Sequence, residues 1–308
     1  MMTKLQILLT NESVEGFRAY LLENTTPNTQ RSFDYLLAEF EKEFSGQHVS
    51  ELSPSKLQEF LNSRWGNGKI SVLRQNFSKL KWFYSWYIKY VQVNGMPLFL
   101  NPCDLIDIKA DGGTASKSEF VPVERMGEFL NTMKDERHWL MTAILMTAGL
   151  RASELIGDPR AGKPGLFREN INGRVLTILK PKSGREEETA IIPKWVAEPL
   201  DNYLKRLNPD ERIFPVGYST LYDVISTHGK WLKLNLTPNY LRKWIASYWQ
   251  RQGESSMTSF ILRHSSLKVN DVTSVKTLGW ESIYVVPLSP KEVAEKQDKY
   301  LAESIFFS

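Results

Sequence analysis

A single cysteine, Cys103, occurs in 308 residues. It excludes a disulfide framework within the chain and a cysteine-based zinc site. The four histidines, His48, His138, His228 and His264, are scattered singly, so the sequence shows no metal cluster. No apolar run approaches the roughly 20 residues that cross a bilayer. Met1–Asn11 is too short and too polar for a signal peptide. These absences point to a soluble, cytoplasmic protein with no membrane partner, no structural metal and no cofactor. The net charge is only +4, which permits a nucleic-acid partner without demanding one. Acid is nevertheless missing from one place. Between Glu59 and Asp104 there is no Asp or Glu, while Arg64, Lys69, Arg74, Lys79, Lys81 and Lys89 all fall there.

About two-fifths of the residues are apolar and an eighth aromatic, enough for a sizeable interior. The length suits two domains better than one core. Residues 13–110 read as short amphipathic helices. Phe17, Tyr20 and Leu21, then Phe33, Leu36, Leu37 and Phe40, follow helical spacing, with Pro27-Asn28-Thr29 expected as the break between them. Ser53-Pro54 is a helix start, cap followed by proline at the first helical position. A longer helix is expected from Ile70 to Val91, with an aromatic stripe that reads as core and a basic flank that would attract a phosphate backbone. The polar, glycine-bearing stretch after Asp111 reads as a linker. The expected organisation is a helical domain over 1–110, a linker over 111–119, and a second domain over 120–308. That second domain should open with helices (Val123–Met133, Arg137–Thr147) and pass through a hairpin (Arg174–Leu179, Thr189–Ile192, turn at Lys182-Ser183-Gly184-Arg185). It should end in helices, the last from Pro290 to Ala302. The fold class is therefore mainly α with a small β-hairpin or sheet.

The chemistry-bearing residues are spread through this second domain. Thr147-Ala148-Gly149-Leu150-Arg151-Ala152-Ser153-Glu154-Leu155 follows an apolar helix, and Gly149 suits a left-handed helix end that would place Arg151 just beyond it. Lys182 lies in the hairpin turn, with Lys180 as the alternative at the end of the first strand. Thr237-Pro238-Asn239-Tyr240-Leu241-Arg242-Lys243 puts Asn239 and Arg242 about one helical turn apart. Leu262-Arg263-His264-Ser265-Ser266 follows, and Tyr284 precedes the capping box Ser289-Pro290-Lys291-Glu292.

In this order the segments resemble the motifs of the tyrosine recombinases, the integrase family. The Arg151 segment resembles T-G-L-R-x-S-E-L with an alanine inserted. The Arg242 segment resembles H-x-L-R-H, with Asn239 where histidine is common and Lys243 for the second histidine. The His264 segment resembles L-G-H-S-S, with Arg263 where glycine is usual. The short helices, the basic stretch and Asn101-Pro102 of the first half also resemble the core-binding domain of that family, so the likeness spans nearly the whole chain.

The resemblance implies a two-domain DNA-breaking-rejoining architecture, a helical core-binding domain and a mixed catalytic domain. It implies a site-specific recombinase that cleaves and rejoins DNA through a 3′-phosphotyrosyl intermediate, without ATP or metal. Arg151, Lys182, Arg242, His264, Tyr284 and Asn239 are the implied catalytic set. Arg64, Lys69, Arg74, Lys79, Lys81 and Lys243 are candidate DNA contacts. The tyrosine is displaced, since Thr273 stands where many relatives place it, and Tyr300 remains the alternative to Tyr284. Implied partners are duplex DNA carrying a specific recombination site, a homo-tetramer joining two such sites, and accessory DNA-bending proteins. The setting would be nucleoid-associated, or that of a viral or plasmid element in its host. Two further readings stay open. One is a DNA-clamping relic, favoured by Asn239, which cannot shuttle a proton at neutral pH. The other is a nicking-closing enzyme like the type IB topoisomerases. The closing helix could dock on a neighbouring subunit or pack at home.

Overall fold

A computed structural model of the chain describes residues 9–90, 92–93, 96–97, 99–108, 120–181, 185–208, 210–263, 288–302 and 306. The chain divides into two compact units, Met1–Lys117 and Ser118–Ser308. It is mainly helical with a small antiparallel sheet, as the sequence patterning predicts.

The first unit holds α1 (Thr10–Asn24), α2 (Pro27–Phe44), α3 (Pro54–Trp65) and α4 (Ile70–Tyr90). A two-residue antiparallel pair follows, β1 (Gln92–Val93) and β2 (Met96–Pro97). Side-chain oxygens cap two of the helix starts, Thr26 accepting from the Thr29 N–H and Ser53 from the Lys56 N–H. Pro27, expected as a helix break, instead sits in the first turn of α2, where its missing N–H costs nothing because helix starts leave that donor unpaired. The break falls one step earlier, at Thr25–Thr26. The aromatic stripe of α4 is core. Leu73, Leu80, Phe83, Tyr84 and Tyr87 are all buried. Edge-on ring pairs knit the helices together, Phe17 with Phe33 at 5.5 Å between centroids and Phe40 with Phe83 at 5.3 Å. This geometry sets the positive ring edge against the negative face. Cys103 is buried in the same core, and burial, with the neighbouring Asp104 charge, pushes its thiol up to about 12.

The second unit opens with α5 (Val123–Asn131), α6 (Glu136–Ala148) and the short α7 (Ala152–Leu155). Strands β3 (Ile171–Asn172), β4 (Val175–Leu179) and β5 (Glu187–Ile191) form one antiparallel sheet in the order β3-β4-β5. Val175 pairs with Ile191 and Leu179 with Glu187, which is the predicted hairpin with its second strand starting two residues early. β3 is an added edge strand that the pattern does not announce, because two residues are too few to alternate. Then come α8 (Lys194–Leu204), α9 (Tyr218–Trp231), α10 (Pro238–Arg251), α11 (Ser255–Leu262) and α12 (Pro290–Tyr300).

At the centre lies α6. Every residue from Leu140 to Ala148 is buried, the mark of a helix enclosed on all sides rather than laid on a surface. α10 packs along it, with Leu241, Trp244, Ile245 and Trp249 buried in the shared core.

The last helix packs on its own unit. Gln297 is fully buried and donates to the Ile191 carbonyl at 2.9 Å, Trp195 Nε1 donates to the Leu301 carbonyl at 2.7 Å, and Arg174 pairs with Asp298 at 2.8 Å. Beyond it, the Phe306 ring lies tilted against Trp195, 5.2 Å between centroids, and its backbone lies against Gly127 on α5. Among the described residues, no helix is long and apolar enough to cross a membrane.

Candidate functional site: two arginines on one buried carboxylate

Arg151 is positioned by a helix end. α6 stops at Gly149, whose φ of +60° is a left-handed conformation that side-chain-bearing residues disfavour. Arg151 then caps α7. Its backbone N–H donates to Glu154 Oε2 at 2.7 Å and its Nη1 to Glu154 Oε1 at 2.7 Å. The Gly149 turn is also closely packed, since a Cβ there would lie 2.4 Å from Ile261 Cγ2 and 3.3 Å from Ile245 Cγ2. Gly149→Ala should therefore destabilise the second unit by about 1–3 kcal/mol, combining left-handed strain with overpacking. Urea unfolding checks this, and a variant as stable as the parent would mean the helix end tolerates a side chain.

Arg242 arrives from the other direction. Thr237 caps α10 by accepting from the Tyr240 N–H at 3.1 Å, and Pro238 occupies its first turn. One turn on, Arg242 points inward. Its Nη1 donates to the Gly149 carbonyl and its Nη2 to the Leu262 carbonyl at 2.8 Å, so it ties the ends of α6 and α11 together. Nη1 also lies 4.0 Å from Glu154 Oε2. The two arginines predicted from separate motifs thus converge on one carboxylate.

A third arginine shares it. Arg263 ends α11 with φ +51° and donates from Nη2 to Glu154 Oε2 and from Nε to Glu188 Oε2 at 3.0 Å. Glu154, Glu188 and Arg263 are all nearly sealed from solvent, whereas the Arg151 side chain remains one-third exposed. The Arg151 face is the open one.

The ionisation of the cluster follows from that burial. Burial alone would raise the Glu154 carboxyl. Arg263, with the Arg151 N–H and guanidinium, outweighs it and holds Glu154 below the usual carboxylate range. Burial, reinforced by the neighbouring Arg263 and Arg151 charges, brings Arg242 down to about 10, still well above neutrality. Arg263 is likewise lowered by burial while Glu154 and Glu188 pull it back up. Arg242 therefore stays charged at neutral pH.

The remaining predicted residues fall in different places. Asn239 is exposed on the first turn of α10, and Lys243 is exposed beside Arg242 on the same helix. Lys180 is exposed at the end of β4 with φ +47°, and its N–H closes the hairpin onto the Glu186 carbonyl at 2.9 Å. Lys182, His264 and Tyr284 lie outside the described residues. Tyr300 sits on α12 with its ring edge on Trp249 at 5.8 Å, and its carbonyl accepts from the Tyr248 hydroxyl. Trp249 is seven residues beyond Arg242, about 10 Å along α10.

The basic flank of the first unit is acid-free along the chain but not in space. α2 brings Glu39 and Glu43 to Arg64 at 3.2 and 3.0 Å. Asp104 reaches Lys81 at 2.6 Å, and Lys79 folds over the Phe33 ring to donate to the Ser32 carbonyl. Lys69 and Arg74 are exposed, and among the described residues neither has a carboxylate partner. No group of three His, Cys, Asp or Glu among the described residues could hold a metal ion.

Sequence reasoning missed Glu154, Glu188 and Arg263 as members of the site. Glu154 carried a signal, being the acid three residues after a helix cap. Glu188 carried a fainter one in the strand alternation, because Glu188 and Ala190 face inward while Glu187 and Thr189 face out.

No protein-family model matches the chain. Among curated proteins, tyrosine recombinase XerA of Saccharolobus solfataricus is 24% identical over 151 residues, which is 46% of this chain and 47% of that one. The match thus spans about half the length of that relative. Solved structures cover far more. A lambda integrase dimer bound to a COC′ core site superposes with a TM-score of 0.64 at 13% identity, covering 91% of this chain and all of the other. The chain has the fold of the tyrosine recombinases. An integrase of the Tn1549 transposon, in complex with a circular intermediate DNA, gives 0.62 at 13% identity over 96% of this chain. The XerH site-specific recombinase bound to difH gives 0.57 at 16% identity over 83%. Within this tyrosine-recombinase fold, the arginine cluster is the buried charged centre of the second unit.

Proposed function

We propose that the protein is a site-specific DNA recombinase that breaks and rejoins DNA through a 3′-phosphotyrosyl bond. The observation that carries this reading is the convergence of Arg151 and Arg242 on Glu154 within a tyrosine-recombinase fold. Guanidinium forks suit the non-bridging oxygens of a phosphodiester and stabilise the charge that gathers there as phosphorus becomes five-coordinate. Arg151 presents the exposed fork, and Arg242 supplies a fixed positive charge behind it.

In the proposed reaction a tyrosine oxygen attacks phosphorus. The P–O5′ bond breaks, the phenolic proton passes to solvent water, and the departing 5′-oxygen is protonated by Lys182 or Lys180. The reverse attack by a 5′-hydroxyl restores the phosphodiester and frees the tyrosine. A phenol with a pKa near ~10 ionises poorly at neutral pH, so the positive field of the cluster is what activates it. His264 assists at the phosphate. Asn239 donates a hydrogen bond there but moves no proton, which makes a slow enzyme of this protein. Tyr284 is the proposed nucleophile, since Tyr300 is engaged with Trp249 two turns of α10 away from Arg242. Lys69 and Arg74 in the first unit, and separately Lys243 in the second, contact the phosphate backbone of duplex DNA, and two sites are joined by a tetramer.

The test is covalent capture. Nicked DNA fragments flanking the gene are incubated with the protein without added metal and resolved on a denaturing gel. A covalent band is expected that Tyr284→Phe abolishes and Tyr300→Phe retains. Loss with Tyr300→Phe alone would move the nucleophile to α12. Specific retention in a native gel without a covalent band would favour the DNA-clamping relic, which the exposed Asn239 supports.

A further inference from the structure

Arg263 occupies a backbone conformation that favours glycine, and it is held there by two carboxylates. Its φ is +51°, in the left-handed region where a side chain is strained. Its guanidinium is buried between Glu154 and Glu188, and Glu188 is itself sealed, with Oε1 finding no hydrogen-bond partner among the described residues. A strained backbone and an incompletely satisfied acid form a costly arrangement unless the charges themselves are needed.

Counting those charges shows what they accomplish. Arg151 and Arg242 against Glu154 and Glu188 would leave the cluster neutral, with no net attraction for an anion. With Arg263, three guanidinium groups face two carboxylates, and one net positive charge remains. That balances the single negative charge of one phosphodiester.

We infer that Arg263 is a positioning residue that sets the charge of the site: by neutralising Glu188 and sharing Glu154, it frees the Arg151–Arg242 pair to hold a single phosphodiester anion. The inference rests on the proposed function and names the ligand of that same site. Glu188 is the counterweight. It holds Arg263 in place and keeps the cluster from carrying two uncompensated positive charges.

The experiment is a charge ladder read with dimethyl phosphate, a small phosphodiester monoanion, by NMR titration of the full chain. The proteins are the parent, Glu188→Gln, Arg263→Gly, Arg263→Lys and the double variant Arg263→Gly with Glu188→Gln. Each unit of charge should change affinity about tenfold, the size of a Coulomb interaction across a partly buried site. Glu188→Gln should bind more tightly than the parent, and Arg263→Gly more weakly. The double variant and Arg263→Lys should return close to the parent. Melting temperatures are measured in parallel. A purely structural Arg263 would lower them without ordering the affinities by charge. Affinities that are equal across the series, absent in all, or unrestored in the double variant overturn the inference. Absence of a covalent DNA complex in the parent, with the ladder intact, would instead count against the recombinase reading alone.

Discussion

Glu154→Ala should cost the second unit about 3–5 kcal/mol of stability. The carboxylate is shared by Arg151 and Arg263 and lies 4.0 Å from Arg242. Its removal leaves guanidinium groups buried against one another with their counter-charge gone. For a unit of this size the melting temperature should fall by about 6–20 °C. Calorimetry on the full chain checks the size of the effect. The pH dependence checks its origin. Because the folded Glu154 titrates below its ordinary value of 4.5, its stabilisation is complete above that pH and is lost as pH falls through the lowered folded value. In Glu154→Gln that part of the acid-side slope should disappear. A variant with the parent's melting temperature and acid profile would mean that the carboxylate does not organise the cluster.

The second large effect separates the two arginines that the motifs predict. Arg151→Ala and Arg242→Ala should each slow covalent DNA capture by about 10²–10³-fold, the usual consequence of deleting a donor (Arg151) or a fixed positive charge (Arg242) beside a developing charge. Their stabilities should diverge. The Arg151 side chain is one-third exposed and its loss is replaced by water, so the melting temperature should stay close to the parent's. Arg242 is 6% exposed, and its truncation strands the Gly149 and Leu262 carbonyls without donors. That should cost about 1–3 kcal/mol for each buried group left unpaired. Lysine would not repair it, because one ammonium cannot span two carbonyls in the fixed geometry of a guanidinium fork. Equal melting temperatures for the two variants would show that Arg242 is not the tie between α6 and α11.

What was legible in the sequence is what local rules govern. Ser53-Pro54 and Thr237-Pro238 announce helix starts because cap and proline act on their own turn. Gly149 announces a helix end because few residues accept its backbone conformation. The arginine motifs could be found because their order and spacing survive. What was not legible is what the third dimension adds. The basic stretch after Glu59 looks unopposed until α2 delivers Glu39 and Glu43 to Arg64 on α3 from residues well upstream. Arg263 reads as a departure from a glycine, and only its contacts with a strand 75 residues away reveal why an arginine is held there. Glu188 hides in a run of three glutamates that looks like a solvated turn, until strand pleating turns one of them inward. Nothing local separates the middle helix face of the tail from any other amphipathic end, so its packing on its own sheet also emerges only from the structure.

That packing ties the order of synthesis to the order of folding. The core of the first unit is complete by Ile108, and domains commonly fold as they leave the ribosome. The second unit has no such freedom. Its first helix, α5, is covered at Gly127 by Phe306, and its sheet is closed by Gln297. Contacts so distant along the chain form late and slowly. A nascent chain that has reached Arg263 therefore holds every member of the arginine cluster while its sheet and first helix still await their cover, with apolar surface around Met126, Trp195 and Ile191 open until Gln297 and Phe306 emerge.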